Sequence, residues 1–125
     1  MTLTVPLVPP SPNILRRTYR NPHAYRRLRK LWEGAMFFST ASAQETRETI
    51  QAAQRHAKMR VAITIYHSRQ YDTDNLTGCL KPVLDALKNI GFIANDDPAH
   101  LELFPPVEEK CARKDKRTVL TITPA

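Results

Sequence analysis

The sequence predicts one small domain of the α/β class, bordering on α+β, in which helices pack on a mixed β-sheet. The chain has 125 residues, a common size for a single domain. Apolar residues make up 42% of it, which is enough for a modest core. Segments with strand and helix periodicity alternate, and no interior linker or internal repeat divides the chain. We therefore expect residues 1–125 to form one domain.

The predicted order of elements is a strand, a loop, two helices, a strand, a helix and two strands. Each segment is assigned from hydrophobic periodicity and from the distribution of proline, glycine and asparagine. The bounds are 2–8 for the first strand, 9–22 for the loop, 23–38 and 42–56 for the helices, 59–67 for the second strand, 76–90 for the third helix, and 100–113 and 117–123 for the segments that contain the last two strands.

Local signals mark the ends of the early elements. Pro6 restricts the first strand to a sheet edge or to the end of a strand, because proline has no N–H to donate. Ser42 and Glu45 have the spacing of a capping box and predict the start of the second helix. Residues 59–67, MRVAITIYH, are rich in β-branched residues with only partial polar alternation, so we expect a strand covered on both faces.

The third helix contains a proline, which leaves two alternatives. Pro82 conflicts with a regular helix over 76–90, so either the helix kinks at Gly78, or residues 75–80 are irregular and the regular helix begins near Pro82. Gly91 is expected to end the helix as a left-handed cap, with a turn over 91–98. Two further prolines break the next segment, at positions 105 and 106.

Positive charge is concentrated near the start of the chain. The net charge is +7, from 19 Lys+Arg and 12 Asp+Glu, and the first acidic residue is Glu33. A local block of positive charge is typical of proteins that bind a polyanion, with nucleic acid as the first candidate and an anionic membrane surface as the second. A solvated helix face is the remaining alternative. The basic residues before Glu33 are Arg16, Arg17, Arg20, Arg26, Arg27, Arg29 and Lys30.

The composition disfavours several classes of protein. Prolines between Pro6 and Pro22 interrupt the helix that a mitochondrial transit peptide needs, and no basic residue precedes the short apolar stretch, as one would in a secretory signal. No apolar run reaches the ~18–20 residues of a membrane-spanning helix. Cys79 and Cys111 suggest neither a disulfide framework nor a zinc pattern, so we expect a reduced, cytoplasmic protein.

An acidic segment, residues 71–97, holds five of the 12 acidic residues. Asp72 and Asp74 are two positions apart, so both carboxylates project from one face if the chain is extended there. Asp74 or Asn75 can cap the following helix. Oxygen ligands select Mg²⁺ or Mn²⁺ over zinc, and two such ions can stabilise the attacking and leaving oxygens of a phosphoryl displacement. Lys81, seven residues after Asp74, can assist electrostatically.

Each of these residues also has an ordinary structural interpretation. A D-x-D sequence in a polar loop is often only solvated, and Asp96 and Asp97 are common turn residues. Asp85 can form an ion pair with Lys81 or Lys88 on the helix surface. The histidines have no metal-ligand spacing and are expected to be structural or on the surface, and Trp32 and Tyr25 are expected in the core rather than stacked on bases. The histidines are His23, His56, His67 and His100.

The string DTDNLTGCLKPVLDALKNIGFIANDD resembles the core motif of the RusA-type Holliday junction resolvases. That motif runs D-x-D-N-L, then K-P-x-x-D-A-L, then a Gly-containing turn that ends in Asp-Asp. The early PPSPNILRR resembles the family's N-terminal Pro-Pro-Ser-x-Asn stretch. The likeness covers 26 residues and this short piece. In the shortest form of the motif the lysine follows the second aspartate by four residues, whereas here it follows by seven.

The resemblance implies a dimeric endonuclease of recombination and repair that uses Mg²⁺ or Mn²⁺ to cut four-way DNA junctions by paired incisions. It implies branched DNA and a second copy of the chain as partners, with no membrane and no small-molecule substrate. Asp72, Asp74 and Asp97 would bind metal together with Asp96, and Lys81 would join the three aspartates as a catalytic residue. The expected DNA-binding residues are Asn13, Arg16, Arg17, Arg20, Arg26, Arg27, Arg29, Lys30 and Arg69.

Two other functions fit the same residues. A non-catalytic nucleic-acid-binding module needs the basic segment but not the carboxylates. A nuclease for flaps or single strands needs both, with a different substrate.

Overall fold

The computed structural model shows helices packed on one face of a mixed β-sheet, which confirms the predicted fold class. It describes residues 1–39, 42–68 and 73–125, and for residues 73–75 it describes only the backbone. The elements are β1 (Thr2–Val5), α1 (Pro12–Arg17), α2 (Pro22–Phe38), α3 (Ala43–Gln54), β2 (Met59–His67), α4 (Thr73–Gly78), α5 (Lys81–Ile90), β3 (Leu101–Leu103), β4 (Val107–Lys110), a 3₁₀ turn (Arg113–Asp115) and β5 (Arg117–Pro124).

The centre of the sheet is the antiparallel pair β2 and β5. The strand β5 lies between β1 and β2 and is antiparallel to both. The short strands β3 and β4 pair with the same side of β2, both parallel to it, β3 near its start and β4 near its end. Residues 104–106 separate them, because Pro105 and Pro106 cannot donate to a strand ladder. The predicted interruption at these prolines is confirmed.

Only one face of the sheet is deeply buried, so the expectation that β2 is covered on both faces was wrong. Its odd-numbered residues, from Met59 to His67, are buried. On the other face Arg60 is exposed, and Ala62, Thr64 and Tyr66 are partly exposed. The partial alternation in the sequence thus marked a strand with one buried face.

The helices α2 and α5 pack against each other over the buried face. Trp32 and Met36 of α2 share the core with Val83 and Leu87 of α5 and with Ile63 of β2. The prediction that Trp32 lies in the core is confirmed, because only 1% of its surface is exposed. No helix in the described part of the chain is long and apolar enough to cross a bilayer.

The structure corrects the prediction for the first 22 residues. The first strand ends at Val5, just before Pro6. The predicted loop contains α1, because Ser11 caps it by accepting a hydrogen bond from the Ile14 N–H (3.3 Å) and Pro12 occupies the first turn, where its missing N–H costs nothing. The helix α2 agrees with the predicted 23–38 to within one residue. The predicted cap of α3 is confirmed, since Ser42 accepts a hydrogen bond from the Glu45 N–H (3.3 Å).

Around Pro82 the second alternative is confirmed for the start of the regular helix, but residues 75–78 are not irregular, because they belong to a separate short helix. The regular helix α5 begins at Lys81, which places Pro82 in its first turn, and a separate short helix, α4, precedes it. The expectation that Asp74 or Asn75 caps a helix was wrong, because α4 begins at Thr73 and both residues lie inside it. For the same reason Thr73 and Asp74 do not have the extended backbone on which the shared face of the D-x-D carboxylates depended. The expected helix end at Gly91 is confirmed by its φ of 90°.

Gly91 is the basis of a stability prediction. Gly91→Ala is expected to lower the free energy of unfolding by about 1–2 kcal/mol, because alanine resists the left-handed region, although the added Cβ meets its nearest neighbour, Ile50, only at 3.9 Å. Gly34→Ala is the matched control: Gly34 lies inside α2 with nothing within 4 Å of an added Cβ, so this change is expected to stabilise by about 0.5–1 kcal/mol. Chemical denaturation measures the free energy of unfolding of both variants. A change of the same sign in the two variants would contradict the prediction.

Candidate functional site

The ends of β1 and β2 define one edge of the sheet, which we call the carboxyl edge. Both strands are antiparallel to β5, so they run in the same direction and end on the same side. The Thr118 hydroxyl donates to the Leu7 carbonyl (2.7 Å) and thereby holds the chain that leads from β1 to α1 against β5. Ser68 follows β2 at this edge. Arg69 and Asp72, and the side chain of Asp74, lie outside the described residues.

At the carboxyl edge, α1 forms a ridge between two grooves. On one side is a groove of about 330 Å³, here called the Lys81 groove, whose lining includes Arg16, Tyr25, Gly78 and Lys81. On the other side is a groove of about 460 Å³, here called the Arg113 groove. Its lining includes Pro10, Ile14, His67, Ser68, Arg113 and Lys116.

The predicted acidic segment connects these two grooves along the chain. Ser68 lines the Arg113 groove, and Gly78, at the end of α4, lines the Lys81 groove. A Cβ on Gly78 would lie 3.3 Å from Pro12 Cγ, so the end of α4 is in close contact with the start of α1. The D-x-D sequence at 72–74 therefore belongs to a connection whose two ends are both next to the α1 ridge.

Lys81 belongs to a small polar cluster with Tyr25 and Asp85. The Tyr25 hydroxyl donates to Asp85 Oδ2, and the Lys81 ammonium lies 3.8 Å from the same oxygen and 4.7 Å from the centre of the Tyr25 ring. Burial, followed by the hydrogen bond to Asp85, raises the pKa of Tyr25, so its hydroxyl stays a donor. Lys81 is 71% exposed, which leaves its charge available to a ligand in the groove. The ion pair of Lys81 with Asp85, the ordinary alternative, is thus observed.

Asp97 is bound within its own turn. Its carboxylate accepts hydrogen bonds from the His100 N–H (3.1 Å) and the Asn95 amide (3.2 Å), and it contacts His100 Nδ1 at 2.5 Å. The hydrogen bond from His100 holds the pKa of Asp97 below its ordinary value. The neighbouring Asp96 is exposed, and its N–H donates to the Asn95 side chain (2.9 Å). These contacts give Asp97 a structural role in the turn.

The turn of Asp97 lies at the opposite edge of the sheet. The Met59 N–H, at the start of β2, donates to the His100 carbonyl (2.9 Å), and Leu101 pairs with Met59. Eight residue steps separate Met59 from His67, or about 26 Å along the strand. Within one chain, Asp96 and Asp97 are therefore near the start of β2, whereas the segment that carries Asp72 follows its end.

The basic residues of the first quarter surround the α1 ridge and extend along α2. Arg16 donates to the side chain of Asn13, and Arg29 forms a 3.0 Å ion pair with Glu33. The remaining members are exposed and form no ion pair with any described residue. These are Arg17, Arg20, Arg26, Arg27 and Lys30.

The structure adds residues that the sequence did not suggest. His67 is 5% exposed at the end of β2, as expected of a structural histidine, but it also lies 2.8 Å from Glu108 of β4 beside the acidic segment. Arg113 and Lys116 reach the site from more than 90 positions after α1. Their signal in the sequence was the basic stretch 110–117. In the described ranges, no group of three or more His, Cys, Asp or Glu side chains is placed to hold a metal.

No protein-family model matches the chain, and no curated protein is similar to it at a significant level.

Proposed function

We propose that this protein is a metal-dependent, structure-specific DNA endonuclease that cuts four-way junctions, as its resemblance to the RusA-type resolvases implies. The observation that supports it best is the arrangement at the carboxyl edge. Exposed cations lie beside α1, and Ser68 and Gly78, which precede and follow the stretch that carries Asp72 and Asp74, line the two grooves on either side of this helix. A phosphodiester backbone would be attracted to these cations and brought next to carboxylates that would otherwise repel it.

Asp72 and Asp74 fit a hard divalent cation by the chemistry of their donors. Both offer only carboxylate oxygens, the ligands that Mg²⁺ and Mn²⁺ prefer. The ion would supply Lewis acidity and charge neutralisation for hydrolysis of the phosphodiester.

Lys81 would stabilise negative charge on the phosphate in the Lys81 groove. Tyr25 and Asp85 hold it from two sides, through the ring face and through the carboxylate. The exposed arginines of α1 and α2 would hold the DNA arms. The proposed location is the reducing cytoplasm, with which the free thiols of Cys79 and Cys111 are compatible.

A homodimer is part of the proposal for two reasons. A four-way junction presents two symmetry-related strands, which a two-fold dimer can cut as a pair. A second copy is also the arrangement in which Asp97 can join Asp72 and Asp74, since a single chain places it near the other edge of the sheet. In that dimer, Asp97 of one copy would complete the site of the other.

The test is cleavage of a synthetic four-way junction with Mg²⁺. The wild type is expected to cut it, and Asp74→Asn to cut at least about 100-fold more slowly, since changes even in the outer shell of a metal site cost up to that factor. In EDTA the Asp74→Asn variant should bind the junction at least as tightly as the wild type, because the asparagine keeps the shape and removes a negative charge that repels phosphate.

The other outcomes separate the alternatives. Binding without cleavage by the wild type would identify a non-catalytic binding module. Faster cleavage of flaps or single strands than of the junction would identify a different nuclease. Equal cleavage by the wild type and the Asp74→Asn variant would contradict the assignment of the metal site.

A further inference from the structure

We propose that the Arg113 groove binds a second stretch of phosphodiester backbone, on the side of α1 opposite the Lys81 groove. The basic block at the start of the chain does not include this surface, whose cations come from the 3₁₀ turn before β5. The inference rests on the proposed function for the identity of the ligand, a DNA strand, and names where a second part of the same substrate lies.

The turn supplies cations that no described residue neutralises. Arg113, Lys114 and Lys116 are exposed, and none forms an ion pair with a described residue. The only acidic residue within 110–117 is Asp115, against five basic residues. Positive charges that lie close together repel each other, and a bound polyanion relieves this repulsion.

The turn is held in place by Arg117, which contacts both Tyr66 and the turn itself. The Arg117 guanidinium lies 3.9 Å from the centre of the Tyr66 ring and donates to the Asp115 carbonyl (2.9 Å). Arg117 therefore anchors the turn to β2 and closes its end. This anchor does not involve Arg113 or Lys116. Their charges are therefore available to a ligand in the groove that they line.

The shape of the surface favours a strand over a small anion. The groove holds about 460 Å³, far more than one phosphate requires. Its other wall is apolar, with Ile14 of α1 43% exposed, and can contact sugars. Lys116 also lines an adjacent cleft of about 400 Å³ beside Thr4 and Pro6, so the cationic surface continues past the groove. A linear polyanion can contact cations along the whole of this surface, whereas a single small anion contacts only one part of it.

The helix α1 lies between the two grooves. A helix with its side chains is about 10–12 Å across, and here it separates the Arg113 groove from Arg16 and Lys81. Backbones in the two grooves would thus pass on either side of α1. This is the geometry expected where two strands diverge, as they do at the branch point of a junction.

The experiment measures metal-free binding of the full-length protein to a four-way junction and to a duplex of the same sequence, in EDTA over a range of salt concentrations. Arg113→Gln with Lys116→Gln is expected to reduce the slope of log K against log salt by about 1.8, or 0.9 for each lost phosphate contact. The matched control is Arg47→Gln with Arg55→Gln, which removes the same charge from exposed positions in and after α3. The control is expected to change the slope by less than half as much.

The outcomes distinguish this inference from the proposed function. An unchanged slope in the Arg113→Gln, Lys116→Gln protein, or equal losses in it and in the control, would overturn the second binding surface even if the wild type cuts junctions. If the wild type does not cut junctions but the slope falls selectively in the Arg113→Gln, Lys116→Gln protein, the result supports the surface and contradicts the nuclease. Far-UV circular dichroism of both double variants checks that the fold is retained.

Discussion

Mixing Asp74→Asn chains with Asp97→Asn chains is expected to restore junction cleavage that neither variant shows alone. The reason is the position of Asp97, whose turn lies beside the start of β2 while the segment carrying Asp74 follows its end. If each site takes Asp97 from the second copy, a mixed dimer has one site that lost both groups and one site that is intact. Random pairing at equal amounts makes half of the dimers mixed, so total incision should recover to about one quarter of the wild-type rate.

The control for this experiment is a mixture of Asp72→Asn and Asp74→Asn chains. Those two residues belong to one segment, so every site in a mixed dimer keeps a defect and no activity should return. Two results would contradict the shared site. If Asp97→Asn alone cuts like the wild type, Asp97 only holds its turn with Asn95 and His100. If Asp97→Asn is inactive and mixing restores nothing, Asp97 acts within its own chain.

The sequence predicted the fold well where local chemistry decides the structure. The caps at Ser42 and Gly91 depend on a hydroxyl and on a left-handed φ, which those residue types supply by themselves. The break at Pro105 and Pro106 depends on the missing proline N–H. The same reasoning failed at α1, because the composition of residues 9–22 suggested a loop while the order of Ser11 and Pro12 is that of a helix start. In residues 9–22 the order of the residues was therefore more informative than their composition.

The candidate site was predicted in its chemistry but not in its geometry. Two carboxylates two positions apart and a block of arginines are visible in the sequence, because each feature is formed by residues close together in the chain. The Arg113 groove could not be, because it joins residues near position 10 to a turn near position 113 through the β1–β5–β2 pairing. The separation of Asp97 from the end of β2 likewise follows from topology: β3 runs parallel to β2, and the start of one parallel strand lies at the edge opposite the end of its neighbour.

Trp32→Ala is expected to lower the free energy of unfolding by about 3–5 kcal/mol, the cost of removing a large aromatic side chain from a core. Trp32 is 1% exposed and lies in the core cluster with Met36, Val83 and Ile63, where α2, α5 and β2 meet. A loss of this size is a large share of the ~5–15 kcal/mol that stabilises a typical domain. Because Trp32 is the only tryptophan of the chain, denaturation has to be followed by far-UV circular dichroism rather than by fluorescence.

The adjacent residue provides the control. Leu31 is 56% exposed on the same helix, so Leu31→Ala is expected to change the stability by no more than about 0.5 kcal/mol. Trp32→Phe keeps most of the core volume and tests whether Trp32 stacks on a DNA base.

A base stacked on Trp32 would contribute about 1–3 kcal/mol to DNA binding, but a side chain this deeply buried has no face to offer a base. Trp32→Phe should therefore bind a four-way junction as the wild type does, and a tenfold weaker affinity in a folded protein would show that the helix opens to expose Trp32 when DNA binds.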